Sequence, residues 1–308
     1  MFGMGNGPRS VPVKLLALLD AYSHEHAAYS LSELARHTGL PLATAHRLIG
    51  ELARWGALER GEDGRYRIGL RLVELAALCP RGYGLRDVAL PFMEDLYEAT
   101  HQNVQLAVRD GLDGVYIERI AGRHAVPVLT RVGAHWPLHA TGVGLVLLAH
   151  APADIQEAVL AAPLATFTRF TISDPAELRR ALAEVRRTGF ALSDRQITDD
   201  AFSVAAPVMA TGPGGARSGG ARSGGARSGG ARSGGARSGG ARSGGARSGG
   251  ECVASLSIVV PVSDPHRVSW APAVRAAANG ISRQLSGRAD ITGRGPAAAS
   301  GRGTRRSS

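Results

Sequence analysis

The sequence is poor in cysteine: among 308 residues there are two, Cys79 and Cys252. Neither stands in a CxxC pair or has a histidine nearby that would indicate a metal or redox site. Two such thiols cannot form the disulfide framework of a small secreted protein. We therefore expect both to be ordinary buried thiols.

Long apolar segments are also missing. No run approaches the ~18 consecutive apolar residues of a membrane-spanning helix. Residues 1–10 lack the basic and then apolar pattern of a secretory signal peptide. From these absences we expect a cytoplasmic protein with no membrane partner.

Patterns of catalytic chemistry are absent as well. There is no GxSxG nucleophile motif, and no carboxylate is placed to orient a histidine. Asp194, His139 and Ser203 therefore do not indicate a catalytic triad. The ten histidines show no metal-ligand spacing. We therefore predict no enzymatic activity, no catalytic residue, no metal and no cofactor.

The net charge of +10 is concentrated in two segments. Seven arginines belong to a GGARS repeat that begins at Gly214, and the tail from Arg283 onward has six arginines against one acid, Asp290. Removing these twelve net positive charges leaves about −2 for the rest of the chain. Overall basicity is therefore no evidence for nucleic-acid binding, which has to be argued from local pattern.

The repeat and the tail are predicted to be disordered, over residues 214–250 and 286–308. Gly, Ala, Arg and Ser bury too little apolar area to offset the entropy of ordering. The repeat expands a surface loop between two strands, where a long insertion has a small closure cost. Its arginines could contact DNA phosphates non-specifically, or the repeat could be an unselected expansion.

The first part of the chain predicts three helices. An apolar stripe indicates a helix over residues 11–27, and a second short helix over 31–37 is capped by Ser30 or Ser32. Thr38-Gly39-Leu40 makes a turn, after which Pro41 stands where proline favours the first turn of a new helix. The inner face of this third helix consists of Ala45, Leu48, Ile49, Leu52 and Trp55.

Two short strands around Gly61–Gly64 follow and form a hairpin. Three helices and a hairpin predict a winged helix-turn-helix over residues 1–68, with a linker helix over 69–84. The third helix would lie in the DNA major groove and present its outer face to the bases. The candidate DNA-binding residues are Leu42, Ala43, Thr44, His46 and Arg47 on this helix, and Arg65 and Arg67 on the wing, which suit backbone contacts.

Arg47 can pair with a guanine edge or bind a phosphate, and the sequence leaves both roles open.

Residues 85–285 predict one α+β domain, in which strands over 126–131, 203–209 and 252–260 are combined with apolar and charged helices. The strands do not alternate cleanly between apolar and polar residues.

Several segments together resemble the IclR family of transcription regulators. They occur in the family's order and cover nearly all of residues 11–285 except the repeat: LSELARHTGLPLATAHRLIGELARWGALER, GRYRIGLRLVEL, PLHATGVGLVLLA, RRTGFALSD, and FSVAAPV followed by ASLSIVVP. The resemblance implies a GAF-like effector-binding domain with an antiparallel sheet. It also implies a homodimer or tetramer whose affinity for double-stranded operator DNA responds to an organic acid or aromatic metabolite.

The resemblance also implies an effector site. In relatives the backbone amides after the LHAT motif receive a ligand carboxylate, which here points to Gly142 and Val143, as suits exposed N–H groups at a helix start. The residues that would complete the pocket are Ser193, Ser203 and Ser257, with Val128, Leu129 and Trp136 as apolar walls. Ser193 stands where an acid is common, Arg195-Gln196 replaces the usual acidic pair, and Leu145 replaces a typical lysine.

The function predicted from these features is a ligand-responsive DNA-binding transcription regulator, most simply a repressor. Dimer geometry would set its two half-sites about one helical turn apart, or a multiple of it. The alternative is a small-molecule sensor that acts through protein partners without reading a DNA sequence.

Overall fold

The structure is a computed structural model that describes residues 10–122, 125–210 and 250–287. The chain divides into two compact units, one ending at Gly84 and the other beginning at Leu85. The segments predicted to be disordered lie outside the described residues except for Gly250, Ser286 and Gly287. None of the helices that the structure describes combines the length and the apolar character needed to cross a membrane.

The described residues of the N-terminal unit, from Ser10 onward, form four helices, a two-stranded hairpin and a short π-helical turn at Pro80–Gly84. Its elements are α1 (Val11–Asp20), α2 (Leu31–Thr38), α3 (Leu42–Trp55), β1 (Leu58–Arg60), β2 (Tyr66–Ile68) and α4 (Leu70–Ala76). The strands are antiparallel, and Leu58 pairs with Ile68. The predicted winged helix-turn-helix is thus confirmed as a fold.

Local signals position helices α2 and α3. The Ser30 side chain accepts a hydrogen bond from the Glu33 N–H while the Glu33 carboxylate accepts one from the Ser30 N–H, so Ser30 is the cap and not Ser32. Gly39 ends α2 with φ of 68°, a left-handed conformation that glycine adopts without a steric penalty. The two helices pack around a core that includes Leu18, Leu34, Leu48, Ile49 and Leu58.

Five expectations for this unit need correction. Helix α1 ends at Asp20, not at residue 27, and Pro41 is the cap that precedes α3. Trp55 is 52% exposed and lies 5.7 Å below the Arg71 guanidinium, because it is the last residue of α3 and extends beyond the core. Cys79 is exposed. The predicted linker helix is divided between α4 and the π-helical turn.

In the described part of the C-terminal unit, six strands form an antiparallel sheet that is covered by helices on both faces. The strand order is β5-β4-β3-β8-β7-β6. Its elements are α5 (Leu85–Thr100), β3 (Asn103–Asp110), β4 (Asp113–Ile120), β5 (His135–Pro137), α6 (Gly142–Ala149), α7 (Ala153–Ala161), α8 (Pro175–Thr188), β6 (Ala191–Asp194), β7 (Ala201–Ala210), β8 (Glu251–Pro261) and α9 (Ala271–Gly287). The predicted α+β fold with an antiparallel sheet is confirmed.

The alternation of side chains along β3 explains why there is a hydrophobic core on each face of the sheet. Val104, Leu106 and Val108 belong to the core formed with α5 and α9. Ala107 belongs to the other core, formed with α6, α7 and α8. Gln105 points to the same face as Ala107, and this face contains the candidate effector site.

The predicted strand over residues 126–131 is wrong. Pro127 cannot donate to a ladder, and polar side chains bind the backbone of this segment instead. The Asn103 Nδ2 donates to the Val126 carbonyl at 2.8 Å, and an Arg119 Nη1 donates to the Thr130 carbonyl at 3.1 Å. The structure adds β5 and α7, which the sequence patterns did not indicate.

Candidate functional site

The outer face of α3 is the candidate DNA-reading surface. Ala45, Leu48, Ile49 and Leu52 are buried, which turns the opposite face of the helix to solvent. Leu42 is 54% exposed. Ala43, His46 and Arg47 are exposed and Thr44 is half-buried, so the five candidate residues on this helix share one accessible surface.

Arg47 differs from its neighbour Arg54 in its contacts. The Arg54 guanidinium pairs with Glu51 at 2.5 Å on the same helix. Within the described part of the chain, the Arg47 side chain makes no hydrogen bond or ion pair. Its charge is therefore available to a partner without breaking an intramolecular contact.

The two wing arginines are both paired within the protein. Arg65 donates to Glu33 at 3.1 and 3.3 Å and to the Ala28 carbonyl at 3.2 Å. Arg67 donates to Asp63 at 2.6 and 3.0 Å, and this hydrogen bonding lowers the pKa of the Asp63 carboxyl to about 2. Exposed ion pairs contribute little net stability because water and salt screen them, so a DNA phosphate can replace them at little cost.

A small cavity lies in the C-terminal unit where α6 begins. Its volume is about 60 Å³ and it opens to solvent. Polar and apolar residues share the wall: it is lined by Gln105, Tyr116, Val128, Leu129, Thr130, Thr141, Gly142, Ser193, Gln196, Ile197, Thr198, Ala201, Ser203 and Val259.

The start of α6 forms one wall of this cavity. Thr141 caps the helix by accepting a hydrogen bond from the Gly144 N–H at 3.0 Å. The first N–H groups of a helix, here those of Gly142 and Val143, have no acceptor within the helix. With the positive end of the helix dipole, they favour an anion.

Gly142 is needed for close packing at this point. A Cβ atom at residue 142 would lie 2.8 Å from the Ser203 Oγ, closer than real Cβ contacts. The glycine thus brings the helix start directly against β7. Next to it, burial raises the pKa of Tyr116, which shares a hydrogen bond with Thr141 and stays a neutral phenol.

The structure brings five of the eight candidate effector residues to this cavity: Val128, Leu129, Gly142, Ser193 and Ser203. The other three are placed elsewhere. Val143 is 2% exposed and packs in the core between α6 and the sheet. Trp136 packs 5.5 Å from the Phe167 ring, and Ser257 is buried in β8 with no hydrogen-bond partner for its Oγ in the described chain.

Sequence reasoning missed several polar residues of the wall. Gln105 donates to the Thr130 Oγ1 at 2.5 Å, and Gln196 is 5% exposed. A glutamine inside the apolar strand NVQLAV was the signal that could have identified Gln105. Thr141 could have been found as the cap of the apolar helix that follows it.

A winged helix-turn-helix, together with an α+β unit that has a cavity at the start of a buried helix, defines a ligand-binding, DNA-binding transcription regulator. The model for the IclR helix-turn-helix domain matches residues 11–62, and the model for the bacterial transcriptional regulator IclR C-terminal matches residues 81–212. The chain belongs to the IclR family of transcription regulators.

Relatives of known sequence support this assignment. The HTH-type transcriptional regulator XynR of Escherichia coli strain K12 is 31% identical over 197 residues, which cover 63% of this chain and 78% of XynR. KipR of Bacillus subtilis strain 168 is also 31% identical over 197 residues, covering 64% of this chain and 78% of KipR.

A solved structure also matches the fold. It is an IclR homologue from Microbacterium hydrocarbonoxydans, complexed with 4-hydroxybenzoate. It is 32% identical, with a TM-score of 0.75, and the match covers 90% of this chain and 100% of the homologue.

Proposed function

We propose that this regulator represses transcription as a homodimer or tetramer and that a small monocarboxylic acid, aliphatic or aromatic, alters its affinity for double-stranded operator DNA. The observation that carries the effector proposal is the start of α6, where Gly142 lines the cavity and its N–H has no acceptor within the helix. Among the described residues, no Asp, Glu, Lys, Arg or His lines this cavity. One carboxylate can be stabilised by the helix start, but a second charge would have no counter-ion.

The ligand of one relative supports a monocarboxylic acid as the effector. The homologue from Microbacterium hydrocarbonoxydans binds 4-hydroxybenzoate, which is an aromatic monocarboxylate. The cavity here is smaller than the ~300–1,000 Å³ of typical ligand sites. A small acid fits such a volume directly. An aromatic acid would need one wall to move, and Leu129, which is 59% exposed, is the side chain with the fewest packing constraints.

For DNA recognition we propose that α3 enters the major groove with Leu42, Ala43, Thr44, His46 and Arg47 towards the bases. Arg65 and Arg67 would bind phosphates by replacing their hydrogen bonds to Glu33 and Asp63 with hydrogen bonds to phosphate oxygens of the DNA. This exchange adds positive charge to the DNA contact without a change in fold. It therefore predicts a log-linear decrease of affinity with salt.

Self-association is supported by an apolar surface on and after α4. Leu70, Val73 and Leu75 are 64%, 48% and 41% exposed, and Leu78 is 76% exposed. No residue of α4 is buried within the described chain. A second copy of the chain is the occupant we propose for this surface, because a regulator of palindromic half-sites needs a two-fold partner.

Fluorescence anisotropy with DNA from upstream of the protein's own coding sequence tests the proposal. We expect specific binding that weakens with salt and that shifts when lactate, pyruvate, benzoate or 4-hydroxybenzoate is added. Light scattering should give a mass of two or four chains, and Leu78→Asp should reduce it. Affinity that is flat against salt would instead support a sensor without DNA binding.

A further inference from the structure

A second cavity lies in the N-terminal unit, between α2 and the wing. Its volume is about 440 Å³ and it opens to solvent as a groove, called here the α2–wing groove. It is lined by His26, Ala28, Tyr29, Glu33, Arg36, His37 and Arg65. Five of these seven residues carry a charge or can gain one near neutral pH. The wall therefore suits a charged partner.

Tyr29 forms the floor of the groove, and its position is fixed. Its side chain is 7% exposed, its hydroxyl donates to the Ala21 carbonyl at 3.0 Å, and its backbone pairs with that of Tyr66. The His26 ring stacks on the Tyr29 ring at a centroid distance of 5.9 Å, and the His37 ring lies 5.7 Å from it. Contact with one fixed ring thus places both imidazoles at the groove.

The side chains of the groove differ in their contacts. Within the described part of the chain, the Arg36 guanidinium and the ring nitrogens of His26 and His37 make no hydrogen bond or ion pair. All three residues are exposed. Arg65, in contrast, is paired with Glu33. An anion can therefore bind to the first three side chains without breaking a hydrogen bond of the described structure.

The charge and the place of the groove indicate which anion it suits. Two arginines stand against one carboxylate, and each imidazole adds a positive charge when it is protonated. The first helix of a helix-turn-helix crosses the DNA backbone while the second enters the major groove. Because α2 is that first helix and Arg65 belongs to the wing, the sugar–phosphate backbone of DNA is the anion that fits this position.

We propose that the α2–wing groove binds the phosphate backbone of DNA through Arg36, His26 and His37, and that both imidazoles are protonated in the complex. This surface adds three residues to the proposed DNA contacts and shares only Arg65 with them. The inference rests on the proposed DNA binding and is independent of the effector site.

Binding at this groove takes up protons. In the free protein the two arginines oppose protonation of the imidazoles, whereas the Glu33 carboxylate favours it. A bound phosphate adds negative charge and so favours the imidazolium form. The effect is reciprocal, so protonation of His26 and His37 strengthens phosphate binding by the same factor. The complex therefore holds more protons than its free components, and affinity rises as the pH falls.

The pH dependence of DNA binding by the full chain tests the role of the imidazoles. Anisotropy is measured at constant ionic strength with the upstream DNA and with a scrambled duplex. We expect binding about fivefold tighter at pH 6 than at pH 8, on both duplexes, because a phosphate contact carries no sequence information. The double variant His26→Gln/His37→Gln should lose most of this change.

Two other histidines provide controls. His24→Gln should retain the pH effect, since His24 is exposed two residues from His26 but is not part of the groove wall. His46→Gln tests whether the protons bind on α3 instead. A pH effect that persists in the double variant would overturn the inference, as would equal wild-type affinity at both pH values. Failure of the wild type to bind either duplex would refute the proposed function, and the inference with it.

Arg36→Gln tests the phosphate contact separately. Loss of one phosphate contact should weaken binding to both duplexes and reduce the slope of log affinity against log salt by about 0.9. Arg180→Gln, at an exposed position of α8 outside the N-terminal unit, should leave the slope unchanged.

The thermal midpoint without DNA separates binding from a structural role. Arg36 and His37 stand in the last turn of α2, where positive charge favours the helix. A lowered midpoint for Arg36→Gln, together with an unchanged salt slope, would show that this arginine serves the helix alone and would overturn the proposed contact.

Discussion

The Glu33 carboxylate joins the wing to helix α2 by accepting two hydrogen bonds from the Arg65 guanidinium, at 3.1 and 3.3 Å. The same carboxylate accepts a hydrogen bond from the Ser30 N–H at 2.7 Å and so completes the cap of α2. One side chain thus serves the helix start and the hairpin together. The hydrogen bonds from Ser30 and the charge of Arg65 lower the pKa of Glu33.

Ser30→Ala should destabilise the N-terminal unit, because it removes the side-chain acceptor for the Glu33 N–H. The expected loss is about 1 kcal/mol, typical of an N-cap serine. Ser32→Ala is the control, since Ser32 is exposed in the first turn and has no capping role. Urea unfolding of both variants measures the difference, and equal stability of the two would contradict the assigned cap.

The Asp63–Arg67 pair should make stability depend on pH in the acidic range. Its hydrogen bonds lower the pKa of Asp63 from 3.8 to about 2 in the folded state. A lowered folded-state pKa stabilises the fold above the unfolded value, and this contribution is lost as the pH falls from about 4 towards 2. Both side chains are exposed, so we expect a small effect that salt weakens.

Urea midpoints of the wild type and Asp63→Asn at pH 2, 4 and 6 test this sign. The two curves should converge as the pH approaches 2 and separate above pH 4, with the wild type more stable. Wild type and variant separated by the same amount at every pH would show that the pair does not contribute through its charge.

Local sequence patterns were sufficient to predict most of the N-terminal unit. Ser30, Glu33 and Gly39 act within a few residues of their own positions, so the start and end of α2 are visible without any tertiary contact. Trp55 was assigned wrongly because helical periodicity does not show where the core ends. For helix α3, the sequence therefore predicts the buried face more securely than the exposure of the last residue.

The cavity was only partly predictable because distant segments form it. Gly142 and Ser203 are brought together by packing of α6 on β7, a relationship that no local spacing encodes. The segment over 126–131 looks like a strand, yet side chains of Asn103 and Arg119 bind its backbone in place of a ladder. The resemblance to a family indicated the helix start, but Gln105 and Gln196 join the same wall only through the tertiary fold.

Arg47→Ala should weaken specific operator binding by about 1–3 kcal/mol, the range for a good base or phosphate contact. Arg54→Ala is the matched control, because Arg54 is on the same helix but pairs with Glu51. Anisotropy titrations with operator and with scrambled DNA distinguish the two roles of Arg47. Loss confined to the operator indicates a base contact, and equal loss on both indicates a phosphate contact. Unchanged affinity for both DNAs would remove Arg47 from the reading surface.

Gly142→Ala should weaken acid binding more than tenfold, because the added methyl would approach the Ser203 Oγ at the wall of the cavity. Ser203→Ala should relieve this clash, because it removes the Oγ that lies 2.8 Å from the added Cβ. The double variant should therefore regain part of the affinity for the acid. Gly50→Ala is a control for the general effect of alanine in a helix, since its Cβ would meet nothing within 4 Å.

Calorimetric titration of five proteins with 4-hydroxybenzoate measures these effects: the wild type, Gly142→Ala, Ser203→Ala, the double variant and Gly50→Ala. Non-additive behaviour is expected, since the two altered residues are in contact and should be coupled. Recovery in the double variant would show that the loss arises from crowding between α6 and β7, where the carboxylate is proposed to bind. Full affinity in Gly142→Ala alone would mean that the acid does not approach the start of α6, and the site would have to be sought elsewhere in the unit.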